Sequence, residues 1–407
     1  MLVSAFVAPA SAAAGHLDRS FSGDGKLVIN SSPGGDEAHD VVVQANGKIV
    51  FLVNVDQSGS KQRFGVYRLR PNGTLDTTFN GTGKHLFNFG PASTLWADAV
   101  ALTPAGRIVV AGRTSASGGG YAFARLLPNG KLDSTFGTGG KAVIPPSTGE
   151  AMSLAVQQDG KIVFGGRSGY PCCGVVGRLT TRGKLDKTFG NNGTQDVTWG
   201  QSNAALFSVA IRPSGKIVAA GSACPSSCDV GLAQLTSSGA FDNASFNPPF
   251  GEETTDFGAS DAAYSVALQN GKIVIGGSRS TNSDDKALFA RYETNGLLDS
   301  SFGSNGHVFA NVGDGSADDL AVSGSGKLLA VGPWSQSNTA LGFFLIRRQA
   351  NGHPDLSFGN SGIVKPRGTY DGSPAVAIQP DGRIVVAEAT NGNGAPKDVF
   401  VARFLAS

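Results

Sequence analysis

Charged residues are scarce in this chain. They make up 16% of its 407 residues, and the formal net charge is only +2. A protein that binds nucleic acid uses a basic field to neutralise phosphates, and this charge is too small to provide one. We therefore expect no nucleic-acid partner. Long apolar runs are missing as well, because no stretch approaches eighteen consecutive apolar residues, so the sequence predicts no membrane-spanning helix.

Helix start and stop signals with a 3.6-residue period are also absent, which argues against a helical solenoid. No G-x-S-x-G, H-E-x-x-H or complete Ca²⁺-loop pattern occurs, so no common enzyme motif suggests a reaction. What the sequence has in abundance is glycine, with 58 residues. Together with frequent Ser, Thr, Asn and Val, this composition is typical of a β-rich protein with many turns.

The N-terminus reads "MLVSAFVAPASAAAG", a short apolar region followed by small residues. This pattern is typical of a secretory signal cleaved near Ala12 to Ala14, although no Lys or Arg opens it. An apolar, disordered terminus is the alternative. We expect residues 1–14 to be this signal or disordered segment, and the protein to be secreted or on the cell surface.

A phrase of the form Leu-Asp-x-x-Phe occurs in seven copies at intervals of 53 to 58 residues, of which one has Pro-Asp and one is the altered version "AFDNASF" (240–246). Clear copies are "GTLDTTFNGTGK" (73–84), "GKLDSTFGTGGK" (130–141) and "GKLDKTFGNNGT" (183–194). Its aspartates are Asp18, Asp76, Asp133, Asp186, Asp242, Asp299 and Asp355. Two further phrases keep step with it: Gly-Lys/Arg-Ile-Val, and an Arg at the end of an apolar strand that Gln234 replaces once. Such periodicity indicates a repeat architecture.

Each repeat reads as four short strands, for example 98–102, 107–112, 121–127 and 141–144. Seven such units predict an all-β, seven-bladed β-propeller with four-stranded antiparallel blades, in one domain over residues 15–407. The chain starts with a fourth-strand segment (26–30) and ends with a third-strand segment (398–405), so we expect the N-terminal strand to close the last blade. The stretch "NPPFGEETTDFG" (247–258) makes the fourth strand of its copy the least certain.

The phrases "QPDGRIVVA" (379–387) and "RLLPNGKLDSTFGTGGK" (125–141) resemble the delta-60 repeat, a bacterial β-propeller family of undefined activity. Their layout is also similar to NHL-type propeller repeats. The resemblance covers residues 15–407 and implies a propeller and, often, an exported protein, but it implies no catalytic residues. In an NHL-like layout the 98–102 type of strand is innermost, and the Leu-Asp-x-x-Phe turn leads into the outermost strand.

The repeated residues are interpreted as joints between blades, because every repeat needs the same contacts with its neighbours. The Asp is predicted to accept N–H bonds within its own turn and to pair with the Arg of the preceding strand. The Phe is predicted to pack between blades. A ring of metal ligands or acids is the alternative interpretation of the Asp.

The turns that carry the repeated phrases lie on one face of the propeller. Function is expected on the opposite face, because its loops, which join the second strand to the third and one blade to the next, vary among the copies. We call it the variable-loop face. Aromatic side chains there would stack on sugars or anchor peptides, unless they only pack loops against blades. The candidates are Trp96, Trp199, Tyr264, Trp334 and Tyr370. Aligned inner strands also predict a ring at the channel mouth formed by Asp40, Asp98, Ser153, Ser208, Ser265, Asp319 and Ala375. Its carboxylates would suit Ca²⁺ or a cationic ligand, or would simply cap strand starts in water.

The four cysteines occupy equivalent loops of two neighbouring repeats: Cys172 and Cys173, then Cys224 and Cys228. An even number in an exported chain predicts disulfides, with three possible connectivities. A Cys224–Cys228 bond is the simplest of these. Cross-links between the two loops and a zinc site are alternatives.

Together these features predict an exported, monomeric binding or adhesion module for a carbohydrate or protein ligand. The alternative is an extracellular hydrolase or lyase at the channel mouth, with Asp40, Asp98 or Asp319 as general acid or base. A structural protein that uses its whole surface for assembly is a third possibility.

Overall fold

Twenty-nine short strands and one 3₁₀ turn (Ala116–Gly118) account for the regular structure of the described chain. The computed structural model describes residues 13–56, 62–90, 94–146, 148–169, 173–201, 203–224, 227–281, 285–336, 339–366, 370, 372–390 and 396–406. The strands form seven antiparallel sheets, so the predicted seven-bladed propeller is confirmed. In the described part of the chain no helix is long and apolar enough to cross a membrane.

Blades are numbered here along the chain, with strands given from the inside outwards. Blade 1 contains β2 (Asp36–Val43), β3 (Ile49–Asp56), β4 (Gln62–Leu69) and β5 (Lys84–Phe87). Blade 2 contains β6 (Leu95–Leu102), β7 (Ile108–Thr114), β8 (Gly120–Leu126) and β9 (Lys141–Ile144). Blade 3 contains β10 (Glu150–Val156), β11 (Ile162–Arg167), β12 (Gly174–Leu179) and β13 (Thr194–Val197). Blade 4 contains β14 (Ala204–Ile211), β15 (Ile217–Ala223), β16 (Asp229–Leu235) and β17 (Glu252–Thr255).

Blade 5 contains β18 (Ser260–Gln269), β19 (Lys272–Ser280), β20 (Asp285–Tyr292) and β21 (His307–Ala310). Blade 6 has an interrupted inner strand, so it contains β22 (Asp314–Gly315), β23 (Asp319–Val322), β24 (Leu328–Gln336), β25 (Thr339–Arg348) and β26 (Ile363–Val364). Blade 7 contains β27 (Ala375–Ile378), β28 (Ile384–Ala389), β29 (Val399–Phe404) and, outermost, β1 (Lys26–Ile29).

The two chain ends meet in blade 7. Strand β1 pairs antiparallel with β29, with Lys26 opposite Ala402 and Ile29 opposite Val399. The predicted closure by the N-terminal strand is therefore confirmed, and it leaves the ring without a gap between its first and last sheets. Ala14, at the end of the predicted signal segment, is buried, and its carbonyl accepts a hydrogen bond from the Gly359 N–H. Residues 1–12 lie outside the described part of the chain.

The fourth strand of the copy that contains residues 247–258 was the least certain in the sequence. It forms as β17, with four residues paired to β16. The shortest outer strand lies in blade 6 instead, where β26 pairs only two residues with β25. Proline is the physical reason: Pro366 follows shortly after β26, and a residue without an N–H cannot extend the ladder.

The inner strands of blades 1 to 5 each contain a one-residue irregularity before the middle of the strand. In blade 2 the register shifts between Ala97 and Ala99, so that Ala99 pairs at the level at which Asp40 pairs in blade 1. The predicted ring was therefore wrong by one residue in blade 2. Ala99 takes the ring position, and Asp98 is the bulged residue.

The repeated phrase forms the joint between neighbouring blades, as predicted. In blade 1 the Asp76 carboxylate accepts the Thr78 N–H in its own turn and the Arg68 Nε–H at 2.9 Å. Arg68 Nη1 then donates to the Pro128 carbonyl, which belongs to the next blade. The side chain of Phe79 is fully buried with the residues of blade 2, beneath the Arg68 guanidinium. The joint thus combines a turn cap, an ion pair and a packed aromatic ring.

Candidate functional site

A cavity of about 250 Å³ opens on the variable-loop face between blades 5, 6 and 7. Three of the five predicted aromatic residues line it: Tyr264 from β18, Trp334 from β24, and Tyr370 from the segment before β27. We call it the aromatic cavity. Residues that lie 36 to 106 positions apart in sequence are thus brought to one site because blades 5, 6 and 7 are consecutive in the ring.

Polar groups complete the wall of the aromatic cavity. Ser278, Asp285 and Asp314 line it beside the aromatic side chains. The Ser278 hydroxyl donates to the Tyr264 hydroxyl at 3.2 Å, and burial raises the pKa of Tyr264, so this phenol is neutral near pH 7. The Trp334 Nε1–H is buried without an acceptor in the described part of the chain. The wall therefore offers apolar ring surface, hydroxyl groups and carboxylates together.

Trp96 lies in a separate cavity of about 510 Å³ between blades 2, 3 and 4. Its side chain is exposed, and the Arg113 guanidinium lies 3.9 Å from the centre of its ring system. Arg167 also lines this cavity, and it pairs with Glu150 at 2.5 Å. Trp96 is therefore on the variable-loop face, but not with the other aromatic candidates.

Trp199 is a core residue, contrary to the expectation of an exposed aromatic side chain. It is 6% exposed, and its Nε1–H donates to the Leu232 carbonyl at 2.8 Å. A Cβ at Gly231 would lie 2.5 Å from the Trp199 ring, so the indole fills the space left by this glycine. Tyr370 is nearly as buried, at 7% exposure, and packs against Phe400, but it lines the aromatic cavity. Trp199 does not line that cavity, so we leave it out of the candidate site.

Two acids of the predicted channel ring join neighbouring inner strands. Asp40 Oδ2 accepts the Val100 N–H of blade 2 at 2.6 Å, and its Oδ1 accepts the Val41 N–H. Asp319 in blade 6 bonds Val376 of blade 7 in the same way, at 2.7 Å. Ser153 and Ser208 accept the corresponding N–H groups of their next blades. Because serine performs the same task at this position, both carboxylates have a structural explanation.

Burial nevertheless perturbs the carboxyl groups around the channel. It raises the pKa of Asp40 to about 8, with the charge of Asp319 adding to the effect, and it raises the pKa of Asp318 to about 6. Burial and the neighbouring Glu150 raise the pKa of Asp98 to about 7. Asp98 Oδ2 is buried without a hydrogen-bond partner in the described chain. Asp98 is thus an inner-strand acid whose role the blade contacts do not explain.

The Cys224–Cys228 disulfide is present, as the simplest pairing predicted. Cys172 lies outside the described residues, and none of the described cysteines is free. The Cys228 carbonyl accepts the Asp261 N–H at 2.6 Å, which ties the disulfide loop of blade 4 to the first strand of blade 5.

A group of three carboxylates adjoins this disulfide loop. One oxygen each from Asp229, Asp256 and Asp261 lies within 4.8 Å of the others, which is close enough for one hard cation. Asp261 is 1% exposed; its Oδ2 accepts the Phe257 N–H, but its Oδ1 is buried without a partner in the described chain. Burial and the charge of Asp256 raise the pKa of Asp229 and Asp261. The sequence did not predict this group, because its members come from three separate strand ends that only folding brings together.

Comparison with known proteins supports the fold and assigns no activity. A family described as "Domain of unknown function (DUF5122) beta-propeller" matches residues 44–79, 104–136 and 268–302, about a quarter of the chain. Among solved structures, a protein of unknown function from Dyadobacter fermentans is 14% identical with a TM-score of 0.51, and the match covers 94% of this chain and 98% of that one. Sqt1 from Chaetomium thermophilum is 13% identical with a TM-score of 0.50, covering 93% and 98%. No curated protein matched the chain.

Proposed function

We propose that this protein is an exported binding module that recognises a carbohydrate at the aromatic cavity. The observation that carries this proposal is the convergence of Tyr264, Trp334 and Tyr370 on one small cavity together with Asp285 and Asp314. Sugars present apolar C–H faces and a rim of hydroxyl groups, so a site for them combines aromatic surface with hydrogen-bonding groups. The wall of the aromatic cavity has both.

The size of the aromatic cavity favours one terminal sugar unit. Its volume of about 250 Å³ is below the usual range of roughly 300–1,000 Å³ for cavities that enclose a drug-sized molecule. An extended peptide would need a longer groove. A protein ligand is therefore the second occupant to test, and the sugar unit at the end of a glycan is the first.

The enzymatic alternative has weaker support than binding. Asp40 and Asp319, two of its three proposed acids, hold adjacent inner strands together through their carboxylate oxygens. Asp98 has the raised pKa expected of a general acid, but Asp98 does not line the aromatic cavity. We therefore assign no reaction to the channel mouth.

Export is supported by the Cys224–Cys228 bond, because structural disulfides persist mainly in oxidising compartments. It is also supported by the apolar N-terminal segment 1–14, whose pattern is typical of a secretory signal. Expression of a C-terminally tagged full-length chain tests this part of the proposal. We expect the protein to be secreted, and mass spectrometry to show that the N-terminal segment has been cleaved off near Ala12–Ala14. A tagged protein that stays in the cytoplasm contradicts it.

A glycan array probed with the purified protein tests the carbohydrate proposal. We expect binding to a restricted set of glycans that share a terminal sugar, and at least a tenfold loss of affinity in Trp334→Ala. Trp96→Ala is the matched control, because it removes an indole from the same face but outside the aromatic cavity. Binding of a peptide array in place of glycans, or equal affinity in Trp334→Ala and wild type, would refute the proposal.

A further inference from the structure

Arg348 occupies a position that is apolar or aromatic in every other blade. It is the last residue of β25, directly after the repeated Arg347. The corresponding residues of the other blades are buried, and they are Leu69, Leu126, Leu179, Leu235, Tyr292 and Phe404. Arg348 is buried as well, with 5% exposure. Blade 6 has therefore placed a cation where the repeat has a hydrophobic core residue.

The buried guanidinium of Arg348 has no carboxylate partner in the described chain. Its Nη1–H donates to the Gly352 carbonyl at 2.9 Å, while its Nε is buried and makes no hydrogen bond. The guanidinium lies 5.0 Å from the centre of the Phe289 ring. The adjacent Arg347, in contrast, pairs with Asp355 at 2.7 Å. An unpaired buried charge is costly, and burial lowers the pKa of Arg348 to about 10.

Arg348 lines a cavity of about 550 Å³ between the outer parts of blades 5 and 6. The cavity exists because the facing strands leave space unfilled. At the position where β5 presents Phe87 to blade 2, β21 presents only Ala310, and β26 is two residues long. Much of the lining is apolar, including Val308, Ile346 and Ile363, and Asn311 adds an amide. This cavity shares no lining residue with the aromatic cavity.

We propose that this cavity binds a small organic anion, a carboxylate or a phosphate monoester, whose charged group pairs with Arg348 and whose apolar body contacts Val308, Ile346 and Ile363. The planar guanidinium suits both anionic groups, because its N–H donors match their paired oxygens. The apolar walls favour a ligand with a hydrocarbon part over a bare ion. The bound anion would supply the counter-charge that the described chain does not.

Ligand-dependent thermal unfolding and calorimetry with butyrate, butyl phosphate, inorganic phosphate and 1-butanol test this proposal. We expect butyrate or butyl phosphate to raise the unfolding temperature of wild type in a saturable way, and the stronger of the two identifies the charged group. Inorganic phosphate should bind at least tenfold more weakly, because it lacks the apolar part. 1-Butanol should have no comparable effect, because it lacks the charge.

Arg348→Leu restores the residue found in four other blades, so the variant should fold and unfold at a higher temperature than wild type without ligand. It should lose at least tenfold in affinity for the organic anion. Arg182→Leu, which removes an exposed arginine elsewhere, should bind like wild type. If Arg348→Leu binds as well as wild type, if neither anion binds wild type, or if 1-butanol binds equally well, the proposal is wrong.

Discussion

Arg212 donates its Nε–H to the side-chain Oε1 of Gln234 at 2.5 Å, and its Nη1–H to the Gly271 carbonyl of the next blade. In blades 3, 5 and 7 the two residue types are the other way round. There a Gln at the end of the first strand accepts a hydrogen bond from the repeated Arg of the third strand, as Gln157 does from Arg178. Blade 4 therefore keeps the joint by a reciprocal exchange, with the cation moved from the third strand to the end of the first. Gln234 completes it by donating to Asp242 at 2.7 Å.

The exchange predicts strong coupling between two substitutions. Arg212→Gln leaves two amides without the cation, and Gln234→Arg puts two guanidinium groups together, so each alone should cost about 2–3 kcal/mol of unfolding free energy. The double variant reproduces the arrangement of blades 3, 5 and 7 and should lie within about 1 kcal/mol of wild type. Urea unfolding of all four proteins measures the coupling. Additive losses in the double variant would show that the two positions are independent.

Gly130 should tolerate no side chain, because the joint between blades 1 and 2 depends on close contact between this glycine and the Phe79 ring. Its φ is +86°, and a Cβ would lie 2.7 Å from the ring of Phe79. Gly130→Ala should therefore cost about 3–4 kcal/mol, from backbone strain and displacement of the ring. Gly139 has φ +60° with no atom within 4 Å of a Cβ, so Gly139→Ala isolates the strain alone, about 1–2 kcal/mol. Equal losses in the two variants, measured by urea unfolding, would contradict the contact.

The channel acids predict a stability that falls as the pH rises. The folded-state pKa of Asp40 is raised to about 8 from 3.8. Between about pH 4 and pH 8 the folded protein therefore holds a proton that the unfolded chain has already lost. Because Asp40 is only partly buried, we expect a loss of only roughly 1–2 kcal/mol between pH 5 and pH 9. Asp40→Ser should flatten this slope, since Ser153 and Ser208 make the same inter-blade bond without titrating.

The joint aspartates have the opposite effect at low pH. Hydrogen bonds from Thr188 and the charges of Lys161 and Arg178 outweigh burial and lower the pKa of Asp186 to about 2. The stability from this group is present above its unfolded pKa near 4 and is lost as the pH falls towards 2. Unfolding at a series of pH values should therefore show a maximum near pH 4–5. A stability that rises steadily from pH 5 to pH 9 would refute the pH-dependence predicted for Asp40.

Ca²⁺ should stabilise the protein through Asp229, Asp256 and Asp261. An ion that binds only the folded state raises the unfolding free energy by about 2.7 kcal/mol at a hundred times its dissociation constant. Thermal unfolding in Ca²⁺ and in a chelator measures this effect, and Asp256→Asn should reduce it at least by half. Asp159→Asn removes an exposed acid outside the group and should respond like wild type. An identical response in Asp256→Asn and wild type would exclude this site.

The sequence by itself determined the repeat, the number of blades, the order of strands and the closure of blade 7. These follow from local signals, namely a turn phrase and strand lengths that recur every 53 to 58 residues. The role of the repeated Asp, Arg and Phe was equally predictable, because a residue present in every copy must make the same contact in every copy.

Only the tertiary structure decided which variable residues meet. Trp199 and Trp334 look alike in the sequence, yet one fills space beside Gly231 and the other lines a cavity with Tyr264 and Tyr370. Asp98 occupies the bulged position that His39 has in blade 1, so Ala99, and not Asp98, is the residue equivalent to Asp40. The burial of Arg348 and its missing counter-charge are properties of the packed structure and are not indicated by the sequence around it. Repeated residues are constrained by their own unit, whereas a binding site arises where different units depart from the repeat, and proximity across blades leaves no local signal in the chain.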